Sequence, residues 1–184
     1  VKLEMNDGSF RYFDGYATRF AQLNMVDRWY QYEIVSRPWM WLLTRTSDCR
    51  IFQALKVPEI LDKIFTKYPE TSVDASKLDA KLYRKWTNCV QYRETDFNFV
   101  SRLMETEGMY YYFHQTKDKH TLVITDARET HRECPYQSRM KLEKVSGRGY
   151  FNTEDTVRVW HYERQVRSGK YTHRDFEFKT PDDN

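Results

Sequence analysis

Hydrophobic and polar positions follow a strand-like period through the first fifty residues. In RWYQYEIVS, Tyr30, Tyr32 and Ile34 recur at every second position. That spacing predicts a strand with one buried face, because successive side chains leave a pleated backbone on opposite sides. SFRYFDGYATRF (Ser9–Phe20) places an Asp-Gly turn signal between aromatic-rich flanks and reads as two more strand segments. Pro38 ends easy pairing, since proline has no amide to give to a ladder.

The period then switches. In VPEILDKIFTKYPE (Val57–Glu70), Val57, Ile60, Leu61, Ile64, Phe65 and Tyr68 fall on one helical stripe. Pro58 suits the first turn of that helix and Pro69 stops it. TSVDASKLDAKLYRKW (Thr71–Trp86) is polar and reads as a loop with room for a short helix, and TNCVQYRE after it reads as a strand.

VQYRETDFNFVSRLMETEGMYYYF (Val90–Phe113) predicts a second helix. Thr95 or Asp96 caps its start, and Gly108 stands where a left-handed terminating residue is wanted. Phe97, Val100, Leu103 and Met104 are expected along its buried stripe. Met109–Phe113 and His120–Asp126 then form a hairpin across HQTKDK, whose lack of glycine leaves the turn type open. Asp155–Val166 and Lys170–Thr180 read as two further strands, with RSG between them.

The tyrosine triplet puts Tyr110 and Tyr112 on one face of its strand and Tyr111 on the other. Both faces are therefore aromatic. Two readings remain open: a strand packed on both sides, or one at a subunit interface, where tyrosine combines an apolar body with a polar tip.

Composition narrows the class. A chain of 184 residues holds one domain or a domain plus part of a second. At this length roughly 70% of the extended chain's surface is buried on folding, so no staple is required. Aromatic residues make up 16%, against 6 Gly and 5 Pro, which suits a β-rich globular chain and argues against disorder.

Charge is nearly balanced, 30 Lys+Arg against 27 Asp+Glu, and a net of +3 does not imply nucleic acid. Arg128–Gly149 carries a local excess, six Lys/Arg against three Glu, with no aromatic stacking platform accompanying it. It reads as a solvated surface. The three cysteines, Cys49, Cys89 and Cys134, match neither a disulfide framework nor a zinc pattern. Free thiols in a reducing compartment are expected. The longest apolar run, Trp39–Leu43, is far short of the ~20 residues that span a bilayer. The chain opens on VKLEMNDGS and closes on FKTPDDN, and both ends read as cut from a longer chain.

No reaction centre is legible. At ~100° per residue, Asp96 and Glu105 lie about 900° apart on the helix, on opposite sides, while Glu105 and Glu107 lie about 200° apart. An acid–base pair must converge on one atom, and these do not. The histidines at 114, 120, 131, 161 and 173 form no HExxH, and His131 with Cys134 is short of a closed zinc site. There is no GxSxG, P-loop or GxGxxG. Catalytic, cofactor and metal residues are all expected to be absent.

Several phrases in fixed order carry a resemblance: RYFDGYATRF, RPWMWLLTRTSDCRIFQ (Arg37–Gln53), EILDKIF, the Val90–Phe113 phrase, HTLVITD and GKYTHRDFEFKTP. Together they span nearly the whole chain. The chain resembles the VgrG family, spike proteins of type VI secretion systems related to the tail hubs of contractile phages.

The resemblance implies a mainly β fold with α insertions: a phage tail hub-like β-barrel plus the start of a second, similar barrel. It divides the chain into 1–56, the first barrel without its N-terminal strands; 57–108, a mostly helical insertion with a short strand; 109–150, a hairpin and basic loop completing that barrel; and 151–184, the opening of the second.

By the same resemblance the whole protein is a homotrimeric scaffold without enzymatic activity. It caps the hexameric Hcp tube and carries a spike tipped by a PAAR protein, with effectors as cargo. It has no nucleic-acid partner and no stable membrane insertion through this region. It resides in the bacterial cytoplasm before assembly and is then secreted. The alternative within the same fold is the hub of a phage or phage-like contractile tail. An enzyme using Glu105 or Asp96 with a histidine, or a polyanion binder using Arg128–Gly149, belongs to other classes.

Overall fold

A computed structural model describes residues 1–5, 8–68, 71–130, 133, 139–142, 156–157 and 159–172. The chain divides into two compact units, Val1–Arg132 and Glu133–Asn184.

The first unit is mostly β with a few helices. Strand β1 (Lys2–Glu4) pairs antiparallel with β2 (Phe10–Tyr12). The long strands β3 (Tyr16–Val26) and β4 (Trp29–Arg37) pair antiparallel across a two-residue turn, where Asp27 takes a left-handed φ of 54°. The Asp14–Gly15 signal therefore joins two ribbons instead of closing a hairpin, since β2 and β3 take different partners.

A 3₁₀ helix, Trp39–Arg45, follows Pro38. Strand β5 (Ser47–Leu55) pairs antiparallel with β7 (Trp86–Thr95), with a register shift between Asp48 and Arg50. The helices are α1 (Val57–Phe65) and α2 (Asp96–Thr106). Strand β6 (Val73–Asp74) lies parallel to β9 (His120–Thr125), which pairs antiparallel with β8 (Tyr110–Gln115). In the second unit, β10 (Lys141–Leu142) pairs parallel with β11 (Thr156–Val157). Among the described residues the strands thus form four two-stranded ribbons and one three-stranded sheet, with no closed barrel.

Helical period becomes burial in α1, where Val57, Ile60, Leu61, Ile64 and Phe65 are all buried. Its first turn is closed by Glu59 Oε2, which accepts from the Lys56 amide at 2.7 Å. The helix ends three residues before Tyr68, because Lys67 and Tyr68 donate to Ile64 and Phe65 in a tighter turn. That tightening delivers the Tyr68 hydroxyl to Asp96.

In α2 the Thr95 hydroxyl accepts from the Asn98 amide at 3.1 Å, the capping bond the sequence suggests. Gly108 takes φ 72° and the Met109 amide reaches back to the Met104 carbonyl at 2.8 Å. The buried stripe is Phe99, Val100, Leu103 and Met104, whereas Phe97 is only half-buried. The correction follows from β5, whose Phe52 ring stacks on Phe99 at 5.7 Å and so turns that position inward.

Trp39 from the 3₁₀ helix is fully buried, its ring edge-on to Phe65 at 5.3 Å. Leu122 and Ile124 of β9 complete the floor of the same core.

The hairpin of β8 and β9 forms as expected and closes through the Thr116 amide on the Lys119 carbonyl at 2.8 Å. The expected strand over Asp155–Val166 is reduced to Thr156–Val157. Residues 159–172 are exposed and, among the described residues, have no ladder partner, which an isolated extended segment needs. The remainder of the expected Lys170–Thr180 strand, His173 onward, lies outside the described residues, as do His131 and Cys134.

Candidate assembly surface

The larger correction concerns β4. Tyr30, Tyr32 and Ile34, read from alternation as a buried face, are 57%, 54% and 56% exposed. Register explains how they share a face. Ile34 lies opposite Phe20, Tyr32 opposite Gln22, and Tyr30 opposite Met25. Phe20 is 67% exposed and Met25 55%, and the Phe20 and Tyr32 rings stack at 5.7 Å. The alternation is real, but among the described residues nothing covers it. The reverse face of the same ribbon carries the Arg19–Glu33 ion pair at 2.8 Å.

A second uncovered face lies on the β5–β7 ribbon. Inward, Phe52 and Cys89 pack on the core. Outward, Ile51 lies opposite Val90, and with Tyr92 they are 68%, 47% and 65% exposed.

The acidic residues part company. Asp96 is 1% exposed and anchors a polar hub: its carboxylate accepts from the Tyr68 hydroxyl at 2.7 Å, the Gln91 amide at 2.8 Å and Arg50 Nη2 at 3.2 Å. Arg50 also reaches Asp48 at 2.5 Å. Burial, then the Asp96 carboxylate, push the Tyr68 hydroxyl up to about 12. Burial chiefly, then the Asp126 carboxylate that it donates to, raise Tyr83 as well. Glu105 is exposed, so the three carboxylates diverge as the helical geometry requires. Glu107 is half-buried and accepts from the Trp86 indole at 3.1 Å.

Among the described histidines His120 is the buried one, and the sequence offered no signal for its partners. Its Nε2 accepts from the Trp39 amide at 2.8 Å and its Nδ1 lies 2.6 Å from Asp14 Oδ2. With Nε2 accepting, the proton sits on Nδ1 and points at the carboxylate. Neither ring nitrogen is left for a substrate proton, although a cavity of about 450 Å³ lies beside the pair, lined by Asp14, Tyr16, Asp118 and Lys119. His114 and His161 are exposed. Among the described residues no cluster of three or more His, Cys, Asp or Glu could hold a metal.

Cys49 is an exposed and Cys89 a buried free thiol, the latter raised above the usual thiol range by burial. Tyr111 packs half-buried on the core, and Tyr110 donates to the Ala127 carbonyl at 2.8 Å. No described helix is long and apolar enough to cross a membrane.

The fold and its surfaces define a mostly β protein of the kind found in contractile-tail hubs. The solved structure of the E. coli c3393 protein, a component of the type VI secretion system with structural similarity to the T4 bacteriophage tail proteins gp27 and gp5, superposes with a TM-score of 0.57 at 26% identity. The likeness covers 72% of this chain and 36% of that one.

Over residues 1–184 the chain matches, and belongs to, the phage tail baseplate hub (GPD) family. It is 39% identical to the type VI secretion system spike protein VgrG1b of Pseudomonas aeruginosa over 186 residues, and 41% identical to VgrG1c of the same organism over 182. Each alignment covers 98% of this chain and 24% of the relative, so the chain spans about a quarter of those proteins. The resemblance to the VgrG spike family, drawn from the ordered phrases, is borne out.

Proposed function

We propose that this chain is the hub segment of a type VI secretion spike, a structural part that mates a threefold spike to a sixfold tube. The observation that carries the proposal is the uncharged aromatic face of β3–β4. It is patterned for burial yet more than half exposed, in a chain that matches the hub family end to end. A scaffold needs such a face; a freely diffusing domain exposes one at the risk of aggregation.

In this reading residues 1–56 and 109–150 contribute to one hub barrel, 57–108 insert the helices, and 151–184 begin a second barrel. The whole protein is a non-enzymatic homotrimer. It caps the hexameric Hcp tube, carries a PAAR-tipped spike and effectors, and leaves the bacterial cytoplasm by secretion. The buried roles of Asp96 and His120 support a scaffold, since both spend their polar atoms on the fold.

A baseplate hub of a phage or phage-like tail is the second reading, favoured by the family's description and by the likeness to a structure resembling gp27 and gp5. Electron microscopy of the whole protein mixed with Hcp tubes tests the first. Density capping the tube ends is expected, and tubes left bare would overturn it.

A further inference from the structure

We infer that the polar cluster around Asp96 binds one internal water molecule, which bridges Arg50 Nη1 to Gln91 Oε1 across the β5–β7 ribbon.

Both atoms are buried, and among the described residues neither meets a hydrogen-bond partner. The rest of each side chain is engaged. Arg50 donates from Nε to Asp48 at 2.5 Å and from Nη2 to Asp96 at 3.2 Å. Gln91 donates from Nε2 to the Glu94 carbonyl at 3.1 Å and to Asp96 Oδ1 at 2.8 Å. Those two bonds fix the orientation of the amide, since a flipped amide would set its oxygen against two acceptors. Nη1 is therefore a donor that lacks an acceptor, and Oε1 an acceptor that lacks a donor.

The ladder brings the two residues together. Arg50 lies opposite Gln91, one step from the bulge where Cys49 alone faces Tyr92 and Arg93. There Arg93 takes a left-handed φ of 50°. A bulge bends its strand and disrupts the ladder locally. Both groups are committed to the same Asp96 carboxylate, and their spare ends do not bond to one another.

Charge selects the guest. One guanidinium and two carboxylates, Asp48 and Asp96, surround the site, and Glu94 is offset by Arg102 at 2.6 Å. An anion at Nη1 would meet those carboxylates and the lone pairs of Oε1. A cation at Oε1 would meet the guanidinium. The guest must accept from one group, donate to the other and carry no charge. Water does all three, and a buried water typically makes about three hydrogen bonds to groups the fold leaves unsatisfied. A dry site would cost both groups the bonds they make to solvent in the unfolded chain.

The bridge has a structural consequence. Gln91 spans the bulge through its bond to the Glu94 carbonyl, so a water that fixes its amide also fixes the strand presenting Tyr92 and Arg93. This holds whichever assembly the chain joins.

A crystal structure of the whole chain at a resolution that shows ordered water tests the bridge, with parallel soaks in bromide and in rubidium. One peak is expected within about 3.2 Å of both Nη1 and Oε1, without anomalous signal in either soak. Bromide or rubidium at that position would overturn the choice of water. The two side chains in direct contact, or no peak between them, would overturn the bridge itself. Gln91→Met keeps the length of the side chain and removes the acceptor, so the peak should be lost. A peak that persists in that variant, held by Arg50 alone, would also overturn the bridge.

Discussion

The Trp39 amide donates to His120 Nε2 at 2.8 Å, tying the 3₁₀ helix to the first residue of β9 across 81 positions of sequence. Both groups are buried, so the bond has no water to replace it. His120→Leu should strand the amide and cost about 1–3 kcal/mol, the usual penalty for an orphaned buried donor. Asp14→Asn keeps an acceptor for the Nδ1 proton and should cost far less. Urea unfolding of the two variants checks the contrast, and equal losses would contradict this placement of the imidazole proton.

Asp96 joins α2 to β5, β7 and the turn after α1, with Arg50 and Asp96 side chains only 14% and 1% exposed. Removing one partner of a buried pair leaves the other charge uncompensated. Asp96→Ala should therefore destabilise by about 3–5 kcal/mol, measured as a fall in denaturation midpoint at unchanged slope. Asp48→Ala should be milder, because its carboxylate is largely solvated and Arg50 keeps Asp96.

Tyr68 gives the fold an alkaline edge. Its hydroxyl ionises at about 12 in the folded chain against an ordinary 10.0, raised by burial first and by the neighbouring Asp96 carboxylate second. A folded-state value above the unfolded one favours the protonated form in the fold. That stabilisation is complete below pH 10 and is lost as pH rises toward 12. Melting temperature should fall across that window, and less steeply in Tyr68→Phe. Absorbance at the tyrosinate band should show Tyr68 and Tyr83 among the last to ionise.

Much of the fold was legible because local signals and burial agreed. The α1 stripe, the Thr95 cap, Gly108 and the β8–β9 hairpin each follow from spacing and capping chemistry within a dozen residues. Phe97 and Phe99 show where that logic runs out. Both lie near the edge of the stripe on a helical wheel, and the tertiary neighbour Phe52 decides which turns inward. The β3–β4 face shows a deeper limit: alternation at Tyr30, Tyr32 and Ile34 reports that a face is meant to be dry, not which molecule dries it. The His120 and Asp96 clusters were invisible because their members lie far apart in sequence and follow no spacing rule.

Helix α2 separates core from rim within one turn. Leu103→Asp buries an unpaired carboxylate at a position with no exposure and should prevent stable folding. Phe99→Ala should cost about 3–5 kcal/mol as a cavity beneath Phe52, and Phe97→Ala clearly less. Glu107→Gln should be nearly neutral, since the amide oxygen still accepts from the Trp86 indole. Thermal melts rank the four, and an order that puts Phe97 above Phe99 would refute the observed stripe.

Gly15 sits where the chain passes from β2 to β3 under the end of β4. A Cβ there would stand 2.7 Å from the Ser36 hydroxyl and 2.8 Å from the Arg37 carbonyl oxygen. The hydroxyl can rotate away, but the carbonyl is backbone at the close of a paired strand, where Tyr16 lies opposite Arg37. Gly15→Ala should therefore push β4 outward and cost about 1–3 kcal/mol, the range for overpacking. The double variant Gly15→Ala with Ser36→Gly separates the two contacts: it relieves the hydroxyl clash and leaves the carbonyl one. A melting temperature restored to wild type by Ser36→Gly would show that the backbone contact yields freely. A loss that persists is expected, and it would identify the β2–β3 crossing as the point that fixes the long ribbon's angle to the rest of its unit.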